Sequence, residues 1–506
     1  MTPSRSVTPS PASWAMMSSG NHKAQSSKSM SWNLIFVIVS QLIAILAIIH
    51  VVLDNRQPAK TLAWALVIWF VPVAGVVFYL FFGINTRKER YVSERSMNQL
   101  TKRSMLEFVE QQNLRLPERQ KPLIDLFINQ NLALPFKNNQ VDIYTDGYQF
   151  FPALLQEISK ARSHIHLDMY IFADDALGTL IADALIAKAR EGVEIRVVYD
   201  DVGCWNVKRQ FFERMREEGI EAVPFMPVHF PSFTSKVNYR NHRKIIVIDG
   251  LVGFIGGMNF ALRYVKGSNG HPWRDTMLRV VGGAVNVLQR AFLVDWYFVD
   301  RTLLSDRKYY PQHTSESGRQ TENNCLIQVV TSGPITPYPE IMQGFVRIIT
   351  GARRYLYLET PYFLPNDPVL FALKTVALAG VDVRVLCPKH SDARFVEWAS
   401  RSYLREVVEA GVKVSLYEAG FLHSKVMVCD DAVSTCGSTN LDFRSFENNF
   451  EANLFIYDEG VALRMKKVFL DDERQSVALT DLPERMRANF FIRLWESITR
   501  LMAPLF

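Results

Sequence analysis

The sequence predicts an α/β fold made of two copies of one unit, each a mixed or parallel sheet flanked by helices, packed with pseudo-two-fold symmetry. The first observation is that the pattern HxKx4D, which begins at His242, recurs 181 positions later at His423. The second is that longer strand-like words recur, since residues 161–172 correspond to residues 352–363. The third is that strand-like segments alternate with helical ones in both copies, which is typical of sheets covered by helices.

The chain begins with segments that differ from these copies. Residues 1–31 are rich in Ser and Pro without a period, and we expect them to be disordered. Two apolar runs without Asp, Glu, Lys or Arg follow, from Trp32 to Leu53 and from Thr61 to Phe82. Each run is long enough to cross a hydrocarbon layer of about 30 Å, and the link between them is short. The pattern therefore predicts a transmembrane helical hairpin over residues 32–82.

Basic residues indicate how this hairpin is oriented. Six Lys or Arg residues lie within residues 87–103, whereas the connecting turn carries only Arg56 and Lys60. The positive-inside rule then places both ends of the hairpin in the cytoplasm and predicts a multi-pass membrane protein. The five cysteines form no CxxC pair, which favours reduced, cytosol-facing thiols. Residues 83–135 are charged and helical in pattern, and we interpret them as a connector.

The rest of the chain contains the two copies and a final helix. The copies are assigned to residues 136–310 and 320–485. Residues 486–506 carry apolar side chains at helical spacing, which predicts a C-terminal amphipathic helix. Two placements of this helix remain open, because it can lie in the membrane interface or dock on the catalytic unit.

Each HxKx4D copy presents an imidazole and an ammonium together, because residues two apart in a strand share a face. A small-residue turn and an asparagine follow each copy, and the asparagine adds an amide donor. The members of this set are His242, Lys244 and Asn259 in the first copy, and His423, Lys425 and Asn440 in the second.

The aspartates that end the two motifs have a different position. Asp249 and Asp430 each lie five positions after the motif lysine, on the opposite side of the strand alternation. They belong to the candidate catalytic set as members of the motif. From their position we interpret them as salt-bridge or turn-anchoring residues.

Two such halves brought together form a cationic pocket rich in hydrogen-bond donors, which suits a phosphodiester. One imidazole would attack phosphorus and form a phosphohistidine. The other would protonate the leaving alcohol and then accept a proton from the incoming alcohol. Lys244 and Lys425 would stabilise charge on the phosphoryl oxygens in place of a metal. The sequence has no metal-ligand cluster of the usual spacings, so we expect neither a metal nor another cofactor.

These motifs resemble those of the phospholipase D superfamily, and the surrounding words are most similar to bacterial cardiolipin synthases. The resemblance covers most of the chain after about residue 32, including the apolar runs. It implies two phospholipase D-like repeats attached to a bacterial inner membrane. The words that carry it are Asn241 to Asp249, Gly256 to Asn259, Trp273 to Thr276, Phe292 to Trp296, Gly420 to Lys425 and Asn440 to Phe446.

The resemblance implies phosphatidyl transfer from one phosphatidylglycerol to another, which gives cardiolipin and glycerol. It also implies an acidic partner that orients each histidine, and Asp275 and Glu451 match those positions. The superfamily usually assigns the nucleophile to the first histidine. His242 is therefore expected to be the nucleophile and His423 the acid and base.

Three other functions are compatible with parts of this pattern. A membrane phospholipase D would use the same residues, but water would resolve the phosphohistidine and phosphatidic acid would form. A nuclease is disfavoured by the hairpin and by the lack of a Lys/Arg stripe with interleaved aromatics, so no nucleic acid partner is expected. A non-catalytic scaffold is disfavoured because both motifs are intact. The net charge of +6 suits an anionic phospholipid and a membrane as partners, while the oligomeric state stays open.

Overall fold

The structure is a computed structural model, and it divides the chain into two compact units, Met1–Asn85 and Thr86–Phe506. Each unit is described by itself. Residues 1–20 of the predicted disordered tail and residues 84–115 of the predicted connector lie outside the described residues. The described residues are 21–54, 58–83, 116–131, 133–228, 238–267, 272–311 and 325–505.

Among its described residues, the first unit has three α-helices followed by a π-helical turn at Tyr79–Gly83. They are α1 (Asn21–Leu53), α2 (Pro58–Phe70) and α3 (Pro72–Phe78). Both α2 and α3 pack against α1, and Ala44, Val51 and Ile68 lie buried between the helices. Helix α1 starts at Asn21, within the segment predicted to be disordered. Nucleation is the costly step of helix formation, so extending an existing apolar helix over polar residues costs little.

The second apolar run is helical but is not one continuous helix, so the predicted two-helix hairpin is confirmed only in part. The helix is interrupted at Val71, which has φ −133°, and Pro72 stands in the first turn of α3. Proline has no N–H to donate and disfavours a helical conformation in the residue before it. Within the described ranges, Trp32–Leu53 is the one helix long and apolar enough to cross a membrane.

The second unit begins, in its described part, with α4 (Lys121–Asn131). The first copy then alternates strands and helices, and α9 closes it. Its elements are β1 (Phe136–Tyr144), α5 (Gly147–Lys160), β2 (His164–Met169), α6 (Ala176–Arg190), β3 (Glu194–Asp200), α7 (Arg209–Glu217), β4 (Glu221–Phe225), β5 (Lys244–Ile248), β6 (Val252–Gly256), α8 (Arg263–Lys266), β7 (Trp273–Arg274), β8 (Met277–Val281) and α9 (Ala284–Asp300).

The second copy repeats this alternation and is followed by the C-terminal helices. Its elements are β9 (Cys325–Ser332), α10 (Glu340–Gly351), β10 (Tyr355–Glu359), β11 (Phe363–Leu364), α11 (Asp367–Leu378), β12 (Asp382–Pro388), α12 (Arg394–Glu409), β13 (Lys413–Tyr417), β14 (Phe421–Leu422), β15 (Val426–Cys429), β16 (Val433–Gly437), β17 (Leu441–Asp442), α13 (Phe443–Glu447), β18 (Glu451–Tyr457), α14 (Glu459–Glu473), β19 (Ser476–Ala478), α15 (Pro483–Met486) and α16 (Phe490–Leu501).

The long strands of both copies form one mixed sheet. In the described part of the chain its order is β19-β13-β12-β10-β15-β16-β18-β9-β1-β8-β6-β5-β2-β3-β4. Read outward from the centre, the first copy runs β1, β8, β6, β5, β2, β3, β4, and the second runs β9, β18, β16, β15, β10, β12, β13 in the same way. The copies meet where β1 pairs with β9 in antiparallel fashion. This arrangement confirms the predicted α/β fold of two repeats related by a pseudo-two-fold axis.

The inner faces of the two copies also pack on each other. One buried apolar cluster combines Ile245 and Val247 of β5 with Val428 of β15 and Leu454 of β18. Apolar area removed from water contributes about 25 cal/mol per Å², so this shared core stabilises the pairing of the copies. As a result, β5, which begins at Lys244, and β15, which begins just after Lys425, share one buried interface.

The motif aspartates lie at the far ends of these strands from the histidines. Asp249 follows β5 and Asp430 follows β15, with positive φ of 54° and 55°. Each carboxylate accepts three backbone N–H groups at the start of the neighbouring strand, β2 or β10. The donors are Arg162, Ser163 and His164 for Asp249, and Arg353, Arg354 and Tyr355 for Asp430.

We predict that Asp430→Ala lowers the free energy of unfolding by roughly 1–3 kcal/mol, because three backbone donors lose their acceptor. The measurement is thermal unfolding followed with a thiol-reactive dye, since all five cysteines are free and buried in the native chain. The control is Asp125→Ala, which removes an exposed i,i+4 pair with Lys121 and should change stability by less than about 0.5 kcal/mol. Equal midpoints for the two variants would contradict the anchoring role.

Candidate active site

The first motif histidine is paired with a carboxylate from the second copy. An isolated parallel bridge joins Asn241 to Phe450, and the N–H of His242 donates to the carbonyl of Phe450 at 2.9 Å. Glu451, the first residue of β18, then lies with Oε1 3.0 Å from Nδ1 of His242. The hydroxyl of Ser438 donates to the same carboxylate.

The second motif histidine is paired in the opposite direction. β14 pairs in parallel with β7 of the first copy, and the N–H of His423 donates to the carbonyl of Arg274 at 2.7 Å. This places Nδ1 of His423 2.6 Å from Oδ2 of Asp275. The pairs are thus crossed, and each copy supplies the carboxylate for the histidine of the other. The sequence identifies the two carboxylates but does not reveal this crossing.

The motif lysines share the neighbourhood of these pairs. Both are buried, and each donates to the main-chain carbonyl of the histidine two residues before it. Burial lowers the pKa of Lys244 to about 7, against the opposing pull of Glu451 and with a further lowering by Lys425. Burial also lowers the pKa of Lys425, which both Asp275 and Glu451 oppose. Each ammonium therefore feels the carboxylates of both pairs, so the structure brings the two halves into one electrostatic site.

Both imidazoles are neutral at neutral pH. Burial, together with the nearby lysines, lowers the pKa of His242 to about 4 and that of His423 to about 3. Burial by itself would raise the pKa of Asp275 and of Glu451, but the charges and hydrogen bonds of their partners outweigh it and lower both. Ionised carboxylates at Nδ1 require the proton on Nδ1, which leaves the lone pair of each imidazole on Nε2.

The two halves differ around the second histidine. Nζ of Lys425 also lies 2.9 Å from Nδ1 of His423, as well as 3.9 Å from Oδ2 of Asp275. We assign the Nδ1 proton to the carboxylate, which is closer and can accept it, whereas the ammonium has only protons to offer. The ammonium beside Nδ1 opposes an imidazolium at this position, which agrees with the lower pKa of His423.

The two motif asparagines do not occupy equivalent environments. Asn259 accepts the N–H of Ile171 at 3.1 Å and donates to the hydroxyl of Tyr264 at 3.1 Å, so its amide is used within the protein. That hydroxyl lies 3.5 Å from Nδ1 of His423. Oδ1 of Asn440 is buried and has no hydrogen-bond partner in the described part of the chain. Asn440 thus has an unused acceptor oxygen, whereas its NH2 group contacts the carboxylate of Asp442.

Behind the pair of His242 and Glu451 lies an arginine that is close to the carboxyl groups of two aspartates. Arg243 contacts Asp295, and its Nε donates to the carbonyl of Glu451 at 3.1 Å. Asp168 accepts from Asn241 at 2.6 Å, and burial, followed by the charge of Asp295, raises its pKa well above the usual range. One arginine neutralises one carboxylate, so the second carboxyl group retains its proton.

The second pair has a corresponding cluster. The guanidinium of Arg274 lies 2.7 Å from Asp472 and 3.6 Å from Glu359. Burial raises the pKa of Glu359 to about 7, against the lowering effect of Arg274. Arg274 also donates to the hydroxyl of Thr276, which lies 2.8 Å from that of Ser424. Arg274 and Asp295 fall inside the sequence words that carry the family resemblance, but their contacts join distant segments, so the sequence does not predict their place in the site.

Two further features limit where chemistry can occur. A cavity of about 250 Å³ is lined by Arg243, Asp295 and Phe450 but by neither histidine, so it lies outside the paired groups. Within the described ranges, no group of three or more His, Cys, Asp or Glu side chains is arranged to hold a metal ion.

The ring of Tyr170 packs edge-on against His242 at 4.8 Å and lies 5.1 Å from Nζ of Lys244.

Comparisons with known proteins give the relatives of this chain. Residues 154–271 and 345–472 match the family described as cardiolipin synthase, PLD-like domain, and residues 42–83 match the phospholipase D-nuclease N-terminal family. The chain is 37% identical to the major cardiolipin synthase ClsA of Bacillus subtilis over 93% of this chain and 98% of that protein. It is 39% identical to a cardiolipin synthase of Geobacillus kaustophilus over 90% of each chain.

A solved structure supports the fold. A phosphatidylserine synthase from Haemophilus influenzae covers 77% of this chain and all of its own, with a TM-score of 0.58 and 14% identity. At that identity the likeness concerns the arrangement of the two copies and carries nothing about substrate.

We predict that Lys244→Met raises the stability of the protein at pH 7 by roughly a few kcal/mol, because folding lowers the pKa of the buried lysine to about 7 and that shift costs stability. Burial lowers the pKa of Lys244 from 10.5 to about 7, so between these values the unfolded chain binds a proton that the folded chain does not. Stability of the unsubstituted protein should therefore rise from pH 7 towards 10.5, and its difference from Lys244→Met should shrink.

The measurement is the unfolding midpoint across this pH range. Lys413→Met is the control, since that lysine is exposed on a surface pair with Asp382 and should show little change. A midpoint for Lys244→Met below that of the unsubstituted protein at pH 7 would show that the buried ammonium is a net stabiliser, contrary to this prediction.

Proposed function

The chain belongs to the family of cardiolipin synthases with a phospholipase D-like domain, and we propose that it transfers a phosphatidyl group from one phosphatidylglycerol to a second, giving cardiolipin and glycerol. The observation that carries the proposal is the crossed pairing of His242 with Glu451 and of His423 with Asp275. It supplies two oriented imidazoles and two ammoniums around one site. Such a site fits a phosphodiester held between a nucleophile and an acid.

The charge balance of the pocket explains how the acid is produced. The positive charge of Lys244 and Lys425 opposes the negative charge of Asp275 and Glu451, although burial lowers the pKa of both lysines. A phosphodiester adds one negative charge, which raises the pKa of the surrounding groups and favours uptake of one proton. We propose that His423 takes this proton at Nε2 when the lipid binds.

The first step is attack by Nε2 of His242 on phosphorus. The new P–N bond forms as the bond from phosphorus to the glycerol oxygen breaks, and His423 gives its proton to that oxygen. Glu451 holds the Nδ1 proton of His242 and stabilises the positive charge that develops on the ring. Lys244 and Lys425 stabilise the charge on the phosphoryl oxygens.

The second step reverses these roles. The terminal hydroxyl of a second phosphatidylglycerol attacks phosphorus, the P–N bond breaks, and the hydroxyl proton passes to neutral His423. His242 returns to its neutral state, and the product carries both phosphatidyl groups on one glycerol. Water at this step would give phosphatidic acid instead. The burial of the imidazoles and ammoniums supports a water-poor site and therefore transfer.

The membrane arrangement belongs to the same proposal. Helix α1 contains a stretch of membrane length, and we propose that α2 and α3 return through the bilayer to complete a hairpin with both ends in the cytoplasm. The catalytic part, residues 136–310 and 320–485, would then meet phosphatidylglycerol at the cytoplasmic face of a bacterial inner membrane.

The direct test is an assay of the full chain, reconstituted with phosphatidylglycerol as the sole lipid. Cardiolipin and glycerol should appear in equal amounts. Phosphatidic acid as the main product would instead establish hydrolysis and overturn the transfer proposal.

A second test separates the two histidines. We expect His242→Ala and His423→Ala each to lower turnover by at least about 10³-fold, because each removes a group that acts in both steps. With phosphatidyl-p-nitrophenol, whose leaving group needs no proton, His423→Ala should still release one equivalent of p-nitrophenolate and retain the phosphatidyl group. His242→Ala should not.

The control for this experiment is His390→Ala, which changes an exposed histidine and should leave turnover unaltered. A trapped phosphatidyl-enzyme in His242→Ala but not in His423→Ala would reverse the assignment of nucleophile and acid. Near-normal turnover of either alanine variant would contradict the two-histidine mechanism.

A further inference from the structure

Helix α16 is attached to the catalytic unit through its polar side. It packs against α12, where Arg405 contacts Glu496 and Arg500 lies 2.7 Å from Glu406. The guanidinium of Arg500 also stacks over the ring of Tyr403 at 3.9 Å. Glu496 is only 1% exposed, although it is one of the polar residues of the helix. These contacts fix the rotation of α16 about its own axis.

The opposite side of α16 is apolar and faces outward. In a helix docked only for the stability of its own domain, the apolar side would be turned inward. Here Phe491 is 78% exposed and Leu501 is 82% exposed. We name this surface the C-terminal apolar face; its members are Phe490, Phe491, Leu494, Trp495, Ile498, Leu501 and Met502.

A neighbouring helix extends the same surface. Phe395, near the start of α12, is 54% exposed, and its ring lies 6.4 Å from that of Trp495. Exposed basic residues lie close to it in sequence, namely Arg394 on α12, Arg487 just before α16, and Arg493 on α16. The surface thus combines aromatic and aliphatic groups with a cationic margin.

We propose that the C-terminal apolar face inserts into the headgroup region of an anionic lipid bilayer. Phe and Trp side chains prefer this depth, and arginines at the margin meet anionic headgroups. The polar contacts to α12 leave the apolar side chains of α16 largely exposed, and the basic margin matches the charge of phosphatidylglycerol. The two placements that the sequence leaves open for this helix are then both correct, because one side docks on the catalytic unit and the other side contacts lipid.

The proposal rests in part on the proposed lipid substrate, but it can be tested without activity. Leu501→Cys is introduced into the full chain and labelled with an environment-sensitive fluorophore, which reacts selectively because the native cysteines are buried. In vesicles containing phosphatidylglycerol, the emission should shift to shorter wavelength. Lipids with a shallow spin label should quench it, and aqueous iodide should not.

The control label is placed at Gln156→Cys, an exposed position on α5 of the first copy, and should stay accessible to iodide. Iodide access at Leu501→Cys in vesicles equal to that in detergent would overturn the proposal. Protection that is already present in detergent and grows with protein concentration would also overturn it, because a second copy of the chain would then cover the face.

A functional variant gives an independent readout. Phe490→Ser combined with Phe491→Ser should leave the unfolding midpoint unchanged, because both rings are exposed. Turnover of phosphatidylglycerol in vesicles should fall about tenfold, whereas turnover of a short-chain, soluble phosphatidylglycerol should not change. The paired control, Leu180→Ser with Tyr148→Ser, alters exposed apolar residues elsewhere and should affect neither substrate. Equal loss with both substrates would place the two phenylalanines in catalysis and contradict the membrane role.

Discussion

The crossed histidine–carboxylate pairs are the constraint on which the rest of the structure depends. Neither copy contains a complete oriented imidazole, because Glu451 serves His242 and Asp275 serves His423. A small shift between the copies would break both hydrogen bonds together. The fold prevents this shift in several places: β1 pairs with β9, short bridges join the copies beside each histidine, and a shared apolar core lies between the motif strands.

The same arrangement has an electrostatic cost that other contacts offset. Two ammoniums lie buried in the site, and burial alone would favour neutral amines. The carboxylates of both pairs oppose this tendency, so the crossing that orients the imidazoles also limits the fall of the lysine pKa values. In the proposed mechanism, the charge of the phosphodiester brings in the catalytic proton, so orientation and protonation depend on the same crossed pairs.

The sequence predicts much of this structure because the same pattern occurs twice, so each copy supports the interpretation of the other. The register of the two motifs predicted two related copies, and the alternation in β5 and β15 separated the lysines from Asp249 and Asp430. What it could not predict depends on tertiary contacts. The linear sequence is equally compatible with each histidine pairing with the carboxylate of its own copy and with each pairing with the carboxylate of the other copy. The residues on both sides of Pro72 are apolar, so they predict one uninterrupted helix. The proline itself is the signal in the sequence for the break between α2 and α3.

The repeat also conceals a difference between the halves that bears on their roles. The arginine behind the first pair, Arg243, immediately follows the histidine, and its guanidinium lies 5.6 Å from the ring of Phe450, the residue before Glu451. The arginine behind the second pair, Arg274, immediately precedes the carboxylate, and a serine follows the histidine. The arginine behind the first pair is thus adjacent in sequence to the histidine, and the arginine behind the second pair is adjacent to the carboxylate. The two copies thus reach the same physical arrangement through non-equivalent positions, so the surroundings of the two imidazoles differ although the motifs are the same.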